Sequence, residues 1–296
     1  MNVCVVIPTA GYDELLEPQL SAVLAQQLDA LFTVVLSVNT PEHAVRASID
    51  SLVARVGDDR VLVVSSADLR SAAHARNVGV LAAPVDAEVI VFCDADDLVA
   101  GDWLERLLAS LGENAAVGGH LDDVYPSERQ AVWRPPATPG TLPSFLGVPY
   151  MVTANMASRR EAFDNVGGFD VSLVRGEDIA LSWSLLKAGY AFVYAGDAVV
   201  QYRHRPGLWL LLRQHELYGR GMAQVLARYG LPKGDGWSAP RGTAMLRANK
   251  QRAGRRSVVG TMRRGAIAVG RVRGLVQEKR HPQQAVVASV HAEARS

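Results

Sequence analysis

Three carboxylates fall within four residues at Asp94-Ala95-Asp96-Asp97, directly after the apolar run Val89-Ile90-Val91-Phe92-Cys93. A short apolar segment of this kind reads as a strand covered on both faces, as in parallel α/β sheets. Such sheets bind ligands beyond the carboxyl ends of their strands. Like charges packed there raise one another's pKa and repel unless a cation offsets them. The residue types therefore point to Mg2+ or Mn2+, hard ions that take carboxylate oxygens and share their shell with substrate phosphates. A plainer role exists for one of the three: Asp96 or Asp97 would cap a helix starting near Trp103. A second acidic pair, Glu177-Asp178, follows Gly176 and precedes the helical spacing of Leu181, Leu185 and Leu186, with Gly189 as the stop. Carboxylates at a helix N-terminus are favoured by its dipole. One of them held in a cleft could also act as a general base.

The elements that must position these groups alternate along the chain. Val3 to Ile7 reads as a strand ended by Pro8, and residues 14–28 as a helix with Leu16, Leu20, Val23 and Leu24 on one face. Strand, helix, strand, helix and strand are then predicted at residues 32–38, 42–56, 60–65, 71–81 and 89–93. This alternation calls for right-handed crossovers and a parallel sheet with helices on both faces. The first half is thus Rossmann-like, yet G-x-G-x-x-G is absent after the first strand, which disfavours the usual dinucleotide binding. Residues 134–149, rich in Pro and Gly, form either a substrate-facing segment or a plain connection.

With 296 residues, 49% hydrophobic and 21% charged, the chain can bury a large core, and disorder throughout is excluded. Cys4 and Cys93 both sit in apolar runs, as small buried hydrophobes do, and this usage fits a reducing, cytosolic compartment. No signal peptide is read in the first ten residues, and the apolar stretches fall short of the roughly 18 residues of a membrane span. The net charge of +1 hides an asymmetry: residues 231–296 hold 14 basic and 3 acidic side chains, leaving 17 basic and 27 acidic in the rest. A boundary near Gly230 follows, between an acidic body (1–230) and a basic tail (231–296). In the tail, Val258, Met262, Ala266, Val269, Val272 and Val276 share one helical face, with Arg256, Arg263, Arg264 and Arg271 largely opposite. Gly260, Gly265, Gly270 and Gly274 oppose that helix at roughly 1 kcal/mol each, so order is expected only on docking. An anionic membrane surface is the favoured partner, ahead of a soluble extension, the acidic body or another protein. Nucleic acid is not expected, because aromatic stacking residues are nearly absent from the tail.

Five ordered motifs carry a family resemblance: VVIPTAGY at the first strand, ARNVGV at Ala75 to Val80, VFCDADD, NMASRREAF leading into GGFD, and GEDIALSWSLLKAGY. Over roughly residues 1–205 the chain resembles the inverting family-2 glycosyltransferases of the GT-A fold. The resemblance implies a Rossmann-like mixed sheet flanked by helices, here followed by a basic helical tail. Its nucleotide-binding half would be about 1–100 and its acceptor half about 101–230. The implied reaction moves a sugar from a nucleotide-diphosphate donor, UDP- or dTDP-linked, to a hydroxyl on a lipid-linked, cell-envelope glycan or small-molecule acceptor. Pro8, Thr9 and Tyr12 would lie beside base and ribose, and Arg76 would contact the donor. Asp94 would contact the ribose or the metal, and Ala95 would lie beside the bound nucleotide. Asp96 would be the principal ligand of Mg2+ or Mn2+, Asp97 an alternative ligand, and His204 a candidate to complete the shell. Asp178 would take the proton from the acceptor hydroxyl, with Glu177 either orienting it or contacting the acceptor.

The chain departs from the family pattern in several places. Asn39 stands where many relatives place a base-reading Asp, and its amide is expected to substitute. Ala180 and Ser184 replace an acidic residue and an Arg, and Q-x-x-R-W is absent, which disfavours a processive polymer synthase. Two other readings stay open: a sugar-nucleotide-binding protein with degenerate activity, and a sugar-phosphate nucleotidyltransferase. The expected location is cytoplasmic, with the tail offering peripheral contact at the inner face of the membrane.

Overall fold

Val3 to Ile7 and Val89 to Cys93 are apolar at every position because neither face of those strands meets solvent; each of these residues is at most 1% exposed. The computed structural model describes residues 1–11, 14–133, 140–230 and 258–280. Tyr12 and residues 134–139 of the Pro-rich segment lie outside them. The first half runs β1 (Asn2–Thr9), α1 (Leu16–Leu24), β2 (Phe32–Val38), α2 (His43–Val56), β3 (Val61–Ser65), α3 (Ala72–Leu81) and β4 (Ala87–Cys93). β1, β2, β3 and β4 are parallel, as the alternation predicts. Pro8 stays within β1, paired with Ser37, because it lies beyond the last β1 residue paired with β4. The missing N–H of a proline is tolerated where no ladder bond needs it.

The second half makes the sheet mixed. It comprises β5 (Leu98–Val99), α4 (Trp103–Leu111), β6 (Ala116–Val124), α5 (Glu128–Ala131), β7 (Ser144–Phe145), β8 (Val148–Pro149), β9 (Asn155–Arg159), α6 (Arg160–Asn165), α7 (Glu177–Lys187) and β10 (Phe192–Arg203). The strand order is β3-β2-β1-β4-β9-β6-β10-β5, with β9 antiparallel to both β4 and β6 and β5 antiparallel to β10. β6 and β10 are parallel to each other. Because β9 is a single reversed strand between β4 and β6, those two strands end at the same sheet edge, and β10 ends there with them. Asp102, not Asp96 or Asp97, precedes α4, so the capping role read for those aspartates does not hold.

α8 (Leu208–Tyr229) and α9 (Val258–Arg280) follow. α9 lies against α8 on the very glycines that count against it as an isolated helix. A Cβ at Gly270 would collide with the Glu216 carbonyl, one at Gly274 with the Arg220 carbonyl, and one at Gly219 with the Ile267 carbonyl. The pairs 216/270 and 223/274 show that the two helices run parallel. Farther along, Glu278 takes both Arg228 Nε (3.1 Å) and Nη2 (2.7 Å), and accepts from Gln224 Nε2 at 3.2 Å. Arg228 reaches Asp170 at 3.5 Å and donates to the Ser172 hydroxyl, while Gln224 Oε1 accepts the Val174 N–H at 3.1 Å. The helix at 258–280 thus braces the segment that leads into α7. Among the described residues no helix is long and apolar enough to cross a membrane.

Gly270→Val should prise α9 from α8 and cost about 2 kcal/mol, a typical overpacking penalty. The checks are urea unfolding and faster proteolytic release of the C-terminal helix, with Gly265→Ala, where a Cβ meets nothing, as the control that should keep or gain stability.

Candidate active site

The acidic run leaves β4 as a tight loop held from below by an amide. Gln19 of α1, fully buried, donates to the Asp94 carbonyl at 3.0 Å and accepts the Val99 N–H at 3.0 Å. This clamp gathers Asp94, Asp96 and Asp97 so that one oxygen of each lies within 4.8 Å of the others. Ala95 packs its methyl against the core beneath them. Asp97 accepts the Arg203 N–H at 2.8 Å through Oδ1, tying the loop to the end of β10, while its buried Oδ2 has no hydrogen-bond partner. Burial, followed by the charge of Asp94, pushes the Asp97 carboxyl up to about 8. Arg205 lies 3.6 Å from Asp96. An orphaned oxygen inside a cluster of three carboxylates fits the donor set of a hard divalent cation.

Helix α3 joins this cluster to the second one. Ser71 caps it, accepting from the His74 N–H. One turn in, Arg76 is buried, with only 4% of its side chain exposed, and points two ways. Nη2 donates to Asp94 Oδ1 at 2.6 Å and Nη1 to Glu177 Oε1 at 3.2 Å. Burial opposes the guanidinium charge, but Asp94 and Glu177 more than offset it and its pKa is raised. The next residue, Asn77, takes both backbone polar groups of Phe169, donating at 2.8 Å and accepting at 3.0 Å. Gly79 lies so close to Val6 of β1 that a Cβ would collide with its side chain.

Asp178 stands beside Glu177 in the first turn of α7, and Gly176 before it has φ 89°, a left-handed conformation suited to glycine. Gly221 of α8 packs against the Arg175 carbonyl, leaving no room for a side chain. Burial and then Glu177 push the Asp178 carboxyl up to about 7, and Arg76 pulls it part of the way back. Tyr150 and Tyr218 lie within electrostatic reach of Asp178, and Tyr202, bonded to Tyr218, within reach of Asp94, Asp97 and Asp96. Burial raises all three phenols, so they remain neutral donors between the two acidic sets.

Several anticipated residues take other partners. His204 is not part of the carboxylate group: Nε2 pairs with Asp123 Oδ1 at 2.8 Å and its ring stacks on Tyr125. Both amide hydrogens of Asn39 are spent internally, on the carbonyls of Ser66 and Leu69. Pro8 and Thr9 end β1 at the edge where β4 ends, and the Thr9 hydroxyl donates to the Gly11 carbonyl at 2.6 Å. Arg76, expected to touch the donor, is engaged by the protein's own carboxylates. The reading of the sequence missed Gln19, the three tyrosines and Asn155. Asn155 accepts from Trp103 Nε1 and donates to the carbonyls of His120 and Ala198.

Residues 4–167 match the family described as Glycosyl transferase family 2, and residues 140–256 match Glycosyl transferase family group 2. The chain belongs to glycosyl transferase family 2. This family-2 chain is 28% identical over 172 residues to the Pre-mycofactocin glycosyltransferase of Mycobacterium tuberculosis, covering 53% of itself and 35% of that protein. It therefore spans about a third of the length of that relative, from the 35% coverage. With Glycosyltransferase AglE of Haloferax volcanii it shares 26% identity over 227 residues, 75% of this chain and 73% of the relative. Among solved structures it is similar to the mannosyltransferase PcManGT from Pyrobaculum calidifontis in complex with GDP-Man and Mn2+. The TM-score is 0.63 at 18% identity, over 97% of this chain and 77% of the other. S. aureus TarS 1-349 in complex with UDP-GlcNAc gives 0.55 at 16% identity, over 75% and 66%. These likenesses establish the GT-A fold of the family-2 chain.

Two outcomes follow from the charges. Arg76→Met leaves Asp94 and Glu177 facing each other without a cation and should cost about 3 kcal/mol in denaturant unfolding, as breaking a buried pair does. The raised carboxyl of Asp97 binds a proton in the folded protein that the unfolded chain has lost. Stability therefore falls as pH rises from about 4 towards about 8. In chelator, Asp97→Asn should gain on wild type between pH 5 and pH 8 in the same unfolding assay.

Proposed function

We propose that the chain transfers a sugar from a nucleotide-diphosphate donor to an acceptor hydroxyl, with inversion at the sugar carbon. The observation that carries this reading is the meeting of two acidic sets at Arg76, one suited to a cation and the other to a proton. Asp94, Asp96 and Asp97 would hold Mg2+ or Mn2+, with Asp96, 36% exposed, the most open of the three. The bound ion would supply Lewis-acid stabilisation of the charge that develops on the leaving diphosphate. PcManGT with GDP-Man and Mn2+ and TarS with UDP-GlcNAc support a donor of this class.

Asp178 is the general base. Burial beside Glu177 sets its carboxyl at about 7, near the pH at which a base both holds the charged form and draws a proton well. Glu177, held by Arg76, fixes the N-terminal turn from which Asp178 projects. Tyr150 and Tyr218 keep a donor on that side of the site. Arg205, 71% exposed and already beside Asp96, is placed to meet a phosphate, which guanidinium geometry suits. Asn39 is committed to the loop after β3, so recognition of the base falls to neighbouring groups rather than to its amide. The acceptor is a hydroxyl-bearing glycan, lipid-linked or small molecule.

Thermal shift with a panel of nucleotide sugars and Mn2+ identifies the donor, since a ligand stabilises by RT ln(1 + [L]/Kd). With that donor, Asp178→Asn should lower kcat roughly 10²- to 10⁴-fold while donor affinity holds. Asp96→Ala should abolish the response to Mn2+. The wild-type rate should rise through an acid limb near pH 7, because the base must lose its proton. Full activity of folded Asp178→Asn would remove the base assignment, and retention of configuration by NMR would remove inversion.

A further inference from the structure

Helix α9 turns Gly270 and Gly274 inward and most of its valines outward. Gly270, Gly274 and Glu278 face α8, whereas Met262 (43% exposed), Val269 (49%), Val272 (62%) and Val276 (42%) follow one another on the outer side at helical spacing. We propose that this outer face rests on an anionic lipid surface. An unpartnered apolar stripe of this length is unfavourable in water, and its margins say what covers it. Every ionisable side chain on the exposed positions of α9 is cationic: Arg264, Arg271, Arg273, Lys279 and Arg280. The one acid of the helix, Glu278, is 9% exposed and is held inside by Arg228.

A second copy docked through the same stripe would bring arginines against arginines, which costs rather than gains. An acyl-chain boundary beneath phosphate headgroups satisfies both parts of the pattern, with valines immersed and arginines at the headgroups. The body contributes to the same end of the molecule. α8 begins five residues after Arg203, whose N–H holds Asp97. Since α9 runs parallel to α8, both helices start beside the site. Trp209 and Val258, 74% and 77% exposed, lie in those first turns, and tryptophan is a common interfacial anchor. The lipid-facing stripe thus begins next to the acidic loop and leads away from it.

The test uses the full chain with vesicles of phosphatidylcholine alone or with phosphatidylserine. The protein should float with the anionic vesicles, and binding should weaken as salt rises, since headgroup attraction is screened. Val272→Asp/Val276→Asp, both at exposed positions, should reduce binding roughly tenfold or more without loss of fold by circular dichroism. Arg264→Glu/Arg271→Glu should do the same on anionic vesicles. Equal binding of the valine pair and wild type overturns the proposal, because attraction would then come from elsewhere in the basic segment. So does equal flotation with both vesicle types, or a dimer in light scattering that the valine pair dissolves while vesicles bind neither form.

Discussion

Two sets of carboxylates that would repel each other across a narrow site are held together by the Arg76 guanidinium, which donates to Asp94 on one side and Glu177 on the other. In a mostly buried setting this cation cannot be spared, because removing it strands carboxylates that solvent reaches only in part. Its position settles much else. The loop after β4 and the first turn of α7 come from segments about 80 residues apart, and the guanidinium sets the distance between them. Asp178, beside Glu177, inherits its place from that contact. Part of its basicity follows too, since Arg76 lowers a carboxyl that burial would otherwise raise further.

For Arg76 to act this way, α3 must itself be immovable. Gly79 lets the helix lie directly on Val6 of β1, where any side chain would intrude. Asn77 seizes the Phe169 backbone on the other side, so one turn of helix is fixed to the sheet, the carboxylate loop and the glycine-rich segment at once. Phe169 in turn packs edge-on against Phe92 of β4, with ring centroids 5.2 Å apart. A-R-N-x-G is therefore one mechanical part: the arginine sets charge, the asparagine sets the loop, and the glycine sets the depth.

Much of this was legible in the residues. The strand ending in carboxylates and the acidic helix start are contiguous signals, and the parallel first half follows from alternation. The reversed strand β9 was not, because its partners at residues 89–93 and 116–118 are remote in sequence and periodicity records no pairing. Gln19 and Asn155 carry no local signature: a buried amide is recognised only by the carbonyls and N–H groups around it. Asp97 was readable as acidic, but not as the acceptor of the Arg203 N–H, since that contact spans the sheet edge. The glycines of α9 were weighed as penalties because helix propensity describes an isolated helix. Against α8 the same missing side chains allow backbone-to-backbone approach, and a cost becomes a fit.

The Glu278 brace carries a consequence in time. Asp170, Ser172 and Val174 are steadied through Arg228 and Gln224, and both of those lean on a carboxylate 50 and 54 residues further along the chain. During synthesis, the entire sheet and both acidic sets leave the ribosome before that carboxylate does. The chain emerging to Gly230 holds both acidic sets, yet its Arg228 has Asp170 and not the closer Glu278 carboxylate to pair with. The segment leading into α7 is therefore steadied late, when α9 closes on α8, and its final packing waits on synthesis of Glu278.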